Sequence, residues 1–341
     1  MNGCLELDLN EMPYPPPDSV VEAARDSLKE LNRYSEQAAL SRLAECLAEY
    51  AGVRMEQLVI GPGSDLLLRE SVMCFGAGRK VVMASPSLLP TVQVARRFAA
   101  KLVSIRLSPP DFCLGRRALL EELGEPCLII LDNPNNPTGR LLLDRETAEE
   151  ILQHPEALLI VDEAYFEFSG LSLAGLVSDH ANLAVSRTLD KAFALAGVRV
   201  GYLIAGRTFR DAFTSFYAFL PQPSLQAALE ALRQRGYMWK NVQLIMQERE
   251  RLRQELQILG LAVYPSNTNF LLLKSEFPGL AGDLQEEGVL VLDLSDQLGP
   301  GYVRVTVGTP EQNDFLLRAC RTVSERREQG RQQARFPKEG V

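Results

Sequence analysis

The sequence predicts an α/β fold, and two observations carry that prediction. Short apolar segments recur at 58–60, 80–84, 101–106, 128–132, 158–162, 183–186 and 200–205, with helix-compatible stretches between them. Strands that alternate with helices form a mostly parallel sheet covered by helices on both faces. Several of these segments also run directly into polar or Gly/Pro-rich turns, and open α/β sheets place ligands at the carboxyl ends of their strands.

The elements follow in chain order. Residues 1–17 are apolar and contain Pro13, Pro15, Pro16 and Pro17, so an extended arm is expected. Residues 18–31 read as a helix with Asp18 as N-cap, and 36–51 as a second helix. Gly61-Pro62-Gly63-Ser64-Asp65 then precedes an apolar helical segment. Its backbone N–H groups and hydroxyl suit a phosphate, although Gly-x-Gly alone is weak evidence. Asn133-Pro134-Asn135-Asn136-Pro137-Thr138-Gly139 follows an apolar run and reads as a loop at a strand's carboxyl edge, or as an ordinary turn. Leu158-Leu159-Ile160-Val161-Asp162-Glu163-Ala164-Tyr165 reads as a buried strand that delivers two carboxylates to its end; taken alone, Asp162 could equally cap the next helix.

The segment Ser186 to Tyr202 is the most informative. Lys191 stands in a short polar turn, and Arg199 comes just before the 200–205 strand. A lysine kept partly neutral in such a turn can form a Schiff base with an aldehyde, and a nearby arginine can take a phosphate. By itself, Lys-x7-Arg also fits a surface lysine and a helix-end arginine. Residues 224–259 read as one long helix with a solvated charged face. Beyond it come strands at 264 and 269–274, a helix at 279–287, strands at 289–292 and 302–307, a helix at 311–327, and a charged tail expected to fray.

Composition narrows the function classes. The 341 residues allow a large core, divided into two lobes, and 46% hydrophobic with 23% charged residues is the composition of a globular protein. A net charge of −8 argues against a nucleic-acid partner. No apolar run is long enough to span a membrane, and no basic-then-apolar signal opens the chain, so a cytoplasmic protein is expected. The six cysteines lack metal-ligand spacing and there are only two histidines, His154 and His180, so no metal site is expected.

Taken together and in this order, the four segments around Gly63, Asn136, Asp162 and Lys191 resemble the fold-type I pyridoxal-phosphate aminotransferases (class I/II), most closely the histidinol-phosphate aminotransferase branch. The resemblance runs from Leu7-Asp8-Leu9-Asn10-Glu11-Met12-Pro13-Tyr14 to Tyr302-Val303-Arg304-Val305-Thr306-Val307-Gly308-Thr309. It implies a seven-stranded sheet with one antiparallel strand, supplied by Val200–Ala205, and a small α+β domain. The expected division is an N-terminal arm with part of the small domain over 1–30, a large cofactor-binding domain over 31–240, a small C-terminal domain over 241–330, and a tail over 331–341.

The resemblance also implies roles. Lys191 would bind the cofactor's aldehyde and, once displaced, act as the base for the proton shift. Asp162 would pair with the protonated pyridine nitrogen, and Asn136 and Tyr165 would hydrogen-bond the phenolic oxygen. Gly63, Ser64, Asp65, Arg199 and either Ser186 or Thr188 would hold the phosphate. Tyr34 would reach that phosphate from the partner in a homodimer, or else make a hydrophobic contact at a helix end. Tyr14, Asn136 and Arg304 would bind substrate, unless Arg304 is a solvent-facing strand residue. The implied reaction moves an amino group from a small-molecule donor to a 2-oxo acid such as 2-oxoglutarate. Alternatives are a decarboxylase resembling threonine-phosphate decarboxylase, and a weakened homologue that binds a ligand without turnover.

Three positions depart from the family pattern. Asp190 stands where a phosphate-binding serine is usual. It is therefore expected to point away or to meet Arg187 or Arg199. Leu88 stands where an aromatic ring stacks on the pyridine. Leu292 replaces an arginine that helps to bind a substrate phosphate. With Arg304 alone, a carboxylate-bearing amino acid is expected in preference to histidinol phosphate.

Overall fold

In a computed structural model of the protein, residues 3–213 and 219–335 are described. The last part of the expected tail, 336–341, lies outside the described residues. The chain divides into two units, one made of Met1–Pro13 with Gln243–Val341 and the other of Tyr14–Val242.

The smaller unit contributes the first strand, β1 (Leu5–Glu6). The larger unit then runs α1 (Asp18–Ser27), α2 (Gln37–Ala51), β2 (Leu58–Gly61), α3 (Ser64–Ser71), β3 (Lys80–Ser85), α4 (Leu89–Phe98) and β4 (Lys101–Arg106). It continues with α5 (Arg116–Leu120), β5 (Cys127–Asp132), α6 (Arg145–Leu152), β6 (Ala157–Asp162), α7 (Phe166–Ser169), β7 (Leu183–Thr188), β8 (Gly201–Ala205), α8 (Arg207–Ala212) and α9 (Gln222–Arg233). Its sheet has seven strands in the order β2-β8-β7-β6-β5-β3-β4. Only β8 runs against its neighbours, β2 and β7, as expected for the Val200–Ala205 segment.

Every residue of β5, β6 and β7 is buried. This explains why these strands read as unbroken apolar runs with no alternation, because both faces of the sheet are covered. On one face, Leu67, Leu68 and Val72 from α3 and the segment after it join Met83, Ile130, Ile160 and Leu203 in one apolar cluster. The chain passes from β3 to edge strand β4 on one side, and from β5 through β6 to β7 on the other. The strand order therefore reverses between β3 and β5, and the carboxyl ends beside such a reversal form the ligand crevice of open α/β sheets.

The expected single helix at 224–259 is two helices, α9 and α10 (Arg235–Ile258). They are separated at Gln234, whose backbone leaves the helical region at φ −92° and ψ 22°. The boundary between the units falls within α10.

In the smaller unit β9 (Ala262–Val263) and β10 (Phe270–Lys274) are followed by α11 (Leu280–Glu286), β11 (Val289–Leu290), β12 (Leu292–Asp293), α12 (Ser295–Leu298), β13 (Tyr302–Thr306) and α13 (Pro310–Arg335). Four strands form an antiparallel sheet in the order β12-β13-β10-β9, and β1 pairs in parallel with β11. The arm after β1 is tied to β13 by Thr306 N donating to Leu7 O (2.8 Å) and Asn10 N donating to Thr306 Oγ1 (3.0 Å). Helix α13 extends past the expected end at Arg327, because its Glu-, Gln- and Arg-rich sequence favours helix and no proline occurs between Pro310 at its start and Pro337.

A charged network lies buried in the larger unit. Arg187 on β7 donates from Nε and Nη2 to Glu163 Oε2 at 3.1 and 3.0 Å, and its guanidinium stacks 3.6 Å from the Phe166 ring centroid. Tyr50 donates to Glu167 Oε1 at 3.1 Å, while Glu167 Oε2 has no hydrogen-bond partner among the described residues. Burial pushes the Glu167 carboxyl up to about 7 from an ordinary 4.5. A carboxyl whose pKa rises on folding contributes most below its ordinary value and loses that contribution as pH rises through the folded value. For Glu167 the loss between pH 5 and pH 8 is on the order of 3 kcal/mol. We expect Glu167→Gln to flatten the pH dependence of stability in this range and to be the more stable protein at pH 8. Chemical denaturation of both proteins at pH 5 and pH 8 measures this, and parallel pH profiles would contradict it.

Candidate active site

The carboxyl ends of three adjacent strands place Asp132, Asp162 and Ser186 side by side. Asp132 on β5 is in register with Asp162 on β6, which is in register with Ser186 on β7. Asp162 is 6% exposed and Ser186 is fully buried. The Ser186 hydroxyl lies near enough to favour the Asp162 anion, yet Asp162 Oδ1 and Ser186 Oγ make no hydrogen bond of ordinary geometry among the described residues. Burial first, and then the neighbouring Asp132 charge, raise the Asp162 carboxyl to about 7. Asp162 closes β6 rather than capping a helix: α7 starts four residues later, after Tyr165.

The Asn-Pro turn is a rigid loop held by its own side chains. Asn133 Oδ1 accepts from Leu142 N (2.7 Å), and Asn133 Nδ2 donates to Leu143 O (3.0 Å). Asn135 is fully buried and accepts the Thr138 hydroxyl at 2.5 Å. Asn136, half-buried, donates its backbone N–H to Asp132 Oδ2 at 2.8 Å.

Lys191 occupies the turn after β7 and is half-buried, its Nζ 6.0 Å from the ring centroid of buried Tyr165. The turn is closed by Leu189 N donating to Val200 O (2.9 Å) and Ala194 N donating to Lys191 O (2.9 Å). Thr188 Oγ1 donates to Val200 O and accepts from Asp190 N. Two non-glycine residues of this loop, Ala194 and Arg199, have left-handed backbones, each with φ 58°. Such residues cost on the order of 1–3 kcal/mol and persist where their surroundings enforce them, often at functional sites.

Arg199 reaches the turn before α3. Gly63 there has φ 92°, a conformation L side chains rarely adopt, and a Cβ on it would lie 2.7 Å from Asp65 Oδ1. A Cβ on Gly201 would collide with the backbone of Gly63 and Ser64, so β8 and the turn can touch only through glycine. The Arg199 guanidinium pairs with Asp65 Oδ1 and Asp190 Oδ2. Asp190 thus meets Arg199, one of the two expected outcomes, and its Oδ1 has no hydrogen-bond partner among the described residues. Arg187 is committed to Glu163 instead. Leu88 packs against the apolar cluster beside the sheet.

Tyr34 is 78% exposed, with its ring centroid 4.5 Å from that of Phe219. Tyr14 is half-buried. In the smaller unit, Arg304 is buried rather than solvent-facing, donates to Asp8 O, and lies 5.2 Å from the Phe270 ring centroid. Leu292 on β12 is directly opposite it in the β12–β13 register.

Asp132 was not singled out in the sequence, although a carboxylate closing an apolar run just before the Asn-Pro turn is the same signal that marked Asp162. The Asp65–Arg199–Asp190 cluster had only half a signal: Asp190 was noted, but not that Asp65 shares its arginine.

These residues fit a cofactor that carries a basic ring nitrogen, an aldehyde and a phosphate. A buried carboxylate oxygen and a buried hydroxyl await partners, a half-buried lysine stands in the next turn, and a glycine turn with an arginine lies beside it. The fold and this arrangement are those of a pyridoxal-phosphate-dependent enzyme of fold type I. The class I and II aminotransferase family model matches residues 2–319, and the chain belongs to that family. It is 36% identical over 327 residues to the histidinol-phosphate aminotransferase of Sulfurisphaera tokodaii, covering 93% of this chain and 90% of that one. Among solved structures it resembles histidinol-phosphate aminotransferase from Clostridium acetobutylicum (TM-score 0.86, 23% identity, 94% and 99% of the two chains). It also resembles the Sinorhizobium meliloti enzyme in complex with pyridoxal 5′-phosphate (TM-score 0.83, 24% identity, 95% and 92%). The chain is an aminotransferase whose cofactor is pyridoxal 5′-phosphate. Among the described residues no helix is long and apolar enough to cross a membrane.

With two carboxylates on one guanidinium, Arg199 is less available to an anion than a lone arginine would be. Asp190→Ser is therefore expected to bind pyridoxal phosphate as tightly as wild type or more tightly in a fluorescence titration. A tenfold loss of affinity would show instead that Asp190 supports binding.

Proposed function

We propose that this aminotransferase takes histidinol phosphate as amino donor and a 2-oxo acid such as 2-oxoglutarate as acceptor, and works as a cytoplasmic homodimer. The 36% identity to a named histidinol-phosphate aminotransferase over nearly the whole chain supports the donor. The observation that carries the chemistry is Asp162, a buried carboxylate with an oxygen left unbonded among the described residues, one strand from the turn that holds Lys191.

Pyridoxal phosphate supplies an aldehyde for covalent attachment and a ring that withdraws electrons from the substrate. Lys191 offers the amine for that attachment. Once free, its Nζ would take the proton from the substrate carbon that carries the amino group and deliver it to the carbon of the former aldehyde, the shift that leaves the amino group on the cofactor. Asp162 holds the ring nitrogen in its protonated form; an opposite charge there reverses the penalty of its burial. Asn136 and Tyr165 donate hydrogen bonds to the phenolic oxygen. Gly63, Ser64 and Asp65 offer backbone N–H groups, and Arg199 with either Ser186 or Thr188 further donors, to the phosphate, the Thr188 hydroxyl by turning away from Val200 O. Asp65 and Asp190 keep Arg199 at that turn until a phosphate competes for it.

Tyr34 suits the partner protomer's phosphate, because a large aromatic side chain stands exposed beside Phe219. Arg304 is proposed for the anionic group of the substrate, with Tyr14 and Asn136. A decarboxylase or a non-catalytic binder is not favoured, since the family matched is an aminotransferase family and Lys191 and Asp162 are both present.

One observation favours a second reading of the donor. Leu292 is directly opposite Arg304, so the cross-strand position that could pair a second cation with Arg304 is apolar. A single arginine suits a carboxylate better than a phosphate dianion.

Borohydride treatment of the loaded enzyme is expected to fix the cofactor on Lys191, and Lys191→Ala is expected to abolish both this adduct and turnover. An adduct on another lysine would contradict the assignment. Comparing kcat/KM for histidinol phosphate with that for phenylalanine, tyrosine and leucine separates the two donors. A hundredfold preference for histidinol phosphate, about 2.7 kcal/mol of transition-state binding, is expected from the first reading; a preference for an amino acid establishes the second.

A further inference from the structure

Asp132 has no place among the groups assigned above, yet three donors converge on it at the end of β5. It is 5% exposed and closes β5 one strand from Asp162, directly in register with it. Its Oδ1 accepts from Ser87 Oγ at 2.7 Å. Its Oδ2 accepts from Asn135 Nδ2 at 3.0 Å and from the Asn136 amide at 2.8 Å. Adjacent strands are about 4.8 Å apart, so two carboxylates stand side by side in a dry edge of the sheet.

Buried like charges at this spacing oppose each other unless a cation compensates them. The two are not equivalent. Both oxygens of Asp132 are hydrogen-bonded, by three donors in all, whereas Asp162 keeps Oδ1 unbonded among the described residues. The Asp132 charge raises the Asp162 carboxyl. An arrangement that disfavours the ionised pair in the empty protein favours a positive group brought against it.

We propose that Asp132 is a positioning residue for the cofactor ring: it locks the Asn135–Asn136 turn to β5, and its charge backs Asp162 in selecting a ring with a protonated nitrogen. The proposal rests on the reading of Asp162 as the partner of the ring nitrogen. It separates two effects of one side chain. The hydrogen bonds act on the turn whatever ring is bound, whereas the charge acts only on a ring that can carry a proton.

The test uses the full-length protein and two probes, pyridoxal phosphate and its analogue with carbon in place of the ring nitrogen. Asp132→Asn keeps the size of the side chain and removes the charge. It is expected to weaken pyridoxal phosphate tenfold or more and the carbon analogue no more than threefold, both read by fluorescence titration. Asp132→Ser gives the same comparison if the asparagine variant does not fold. Ser87→Ala removes one hydrogen bond but leaves the charge, and is expected to shift both probes equally. Equal weakening of both probes by Asp132→Asn would reduce Asp132 to a loop support, and no weakening of either would remove it altogether; both results overturn the proposal. Asp162→Asn distinguishes this failure from that of the underlying reading. If it discriminates between the probes and Asp132→Asn does not, only the proposal falls. If neither variant discriminates, the assignment of Asp162 falls as well.

Discussion

The burial of charge at the carboxyl ends of β5, β6 and β7 is the constraint on which the rest of the site depends. Three strands covered on both faces deliver polar side chains into an edge that water does not reach. An unpaired carboxylate there is costly, and Asp162 shows it in a pKa raised to about 7. On the proposed reading of Asp162 the cost is tolerable because a protonated ring nitrogen would stand against it. A surface aspartate would find water instead and would discriminate little between a charged and a neutral ring. The apolar strands serve function as well as stability, since they create the low-dielectric setting in which one ion pair can control the electronics of a bound ring.

The turn proposed for the phosphate follows a different logic. Its geometry comes from the backbone: Gly63 in a left-handed conformation, Gly201 allowing β8 to touch the turn, and Arg199 held at a positive φ. Its charge balance is unusual, with Asp65 and Asp190 both on Arg199. The Arg199 side chain is 43% exposed, so solvent screens these pairs, and they orient the arginine more than they stabilise the fold. As proposed, a dianionic phosphate would compete with them through its greater charge and through the N–H groups of the glycine turn.

Much of this was legible in the sequence, for identifiable reasons. Doubly covered strands are unbroken apolar runs, which marks 128–132 and 158–162 to within one residue, whereas the partly exposed edge strand 101–106 is marked by its place in the alternation of strands with helices. Lys191, Arg199 and Asp162 stand in motifs whose order matches a known family. Asp132 is not marked by the sequence because it borders a turn-forming Asn-Pro run, and its place beside Asp162 is set only by strand register. The break at Gln234 escaped because neither proline nor glycine occupies that position. The Glu163–Arg187 and Tyr50–Glu167 pairs escaped because Tyr50 and Glu167 are 117 residues apart, and only the folded chain shows both glutamates buried around one arginine. Pattern reveals local structure, whereas partnership between distant charges requires the fold.

The central claim is that Asp162 holds the ring nitrogen of the cofactor protonated in a site too dry to tolerate the carboxylate otherwise. The nitrogen chemical shift of 15N-labelled pyridoxal phosphate bound to the protein near neutral pH measures this directly. The account predicts the resonance of a protonated pyridine nitrogen in the wild-type protein. The resonance of a neutral pyridine nitrogen would contradict it.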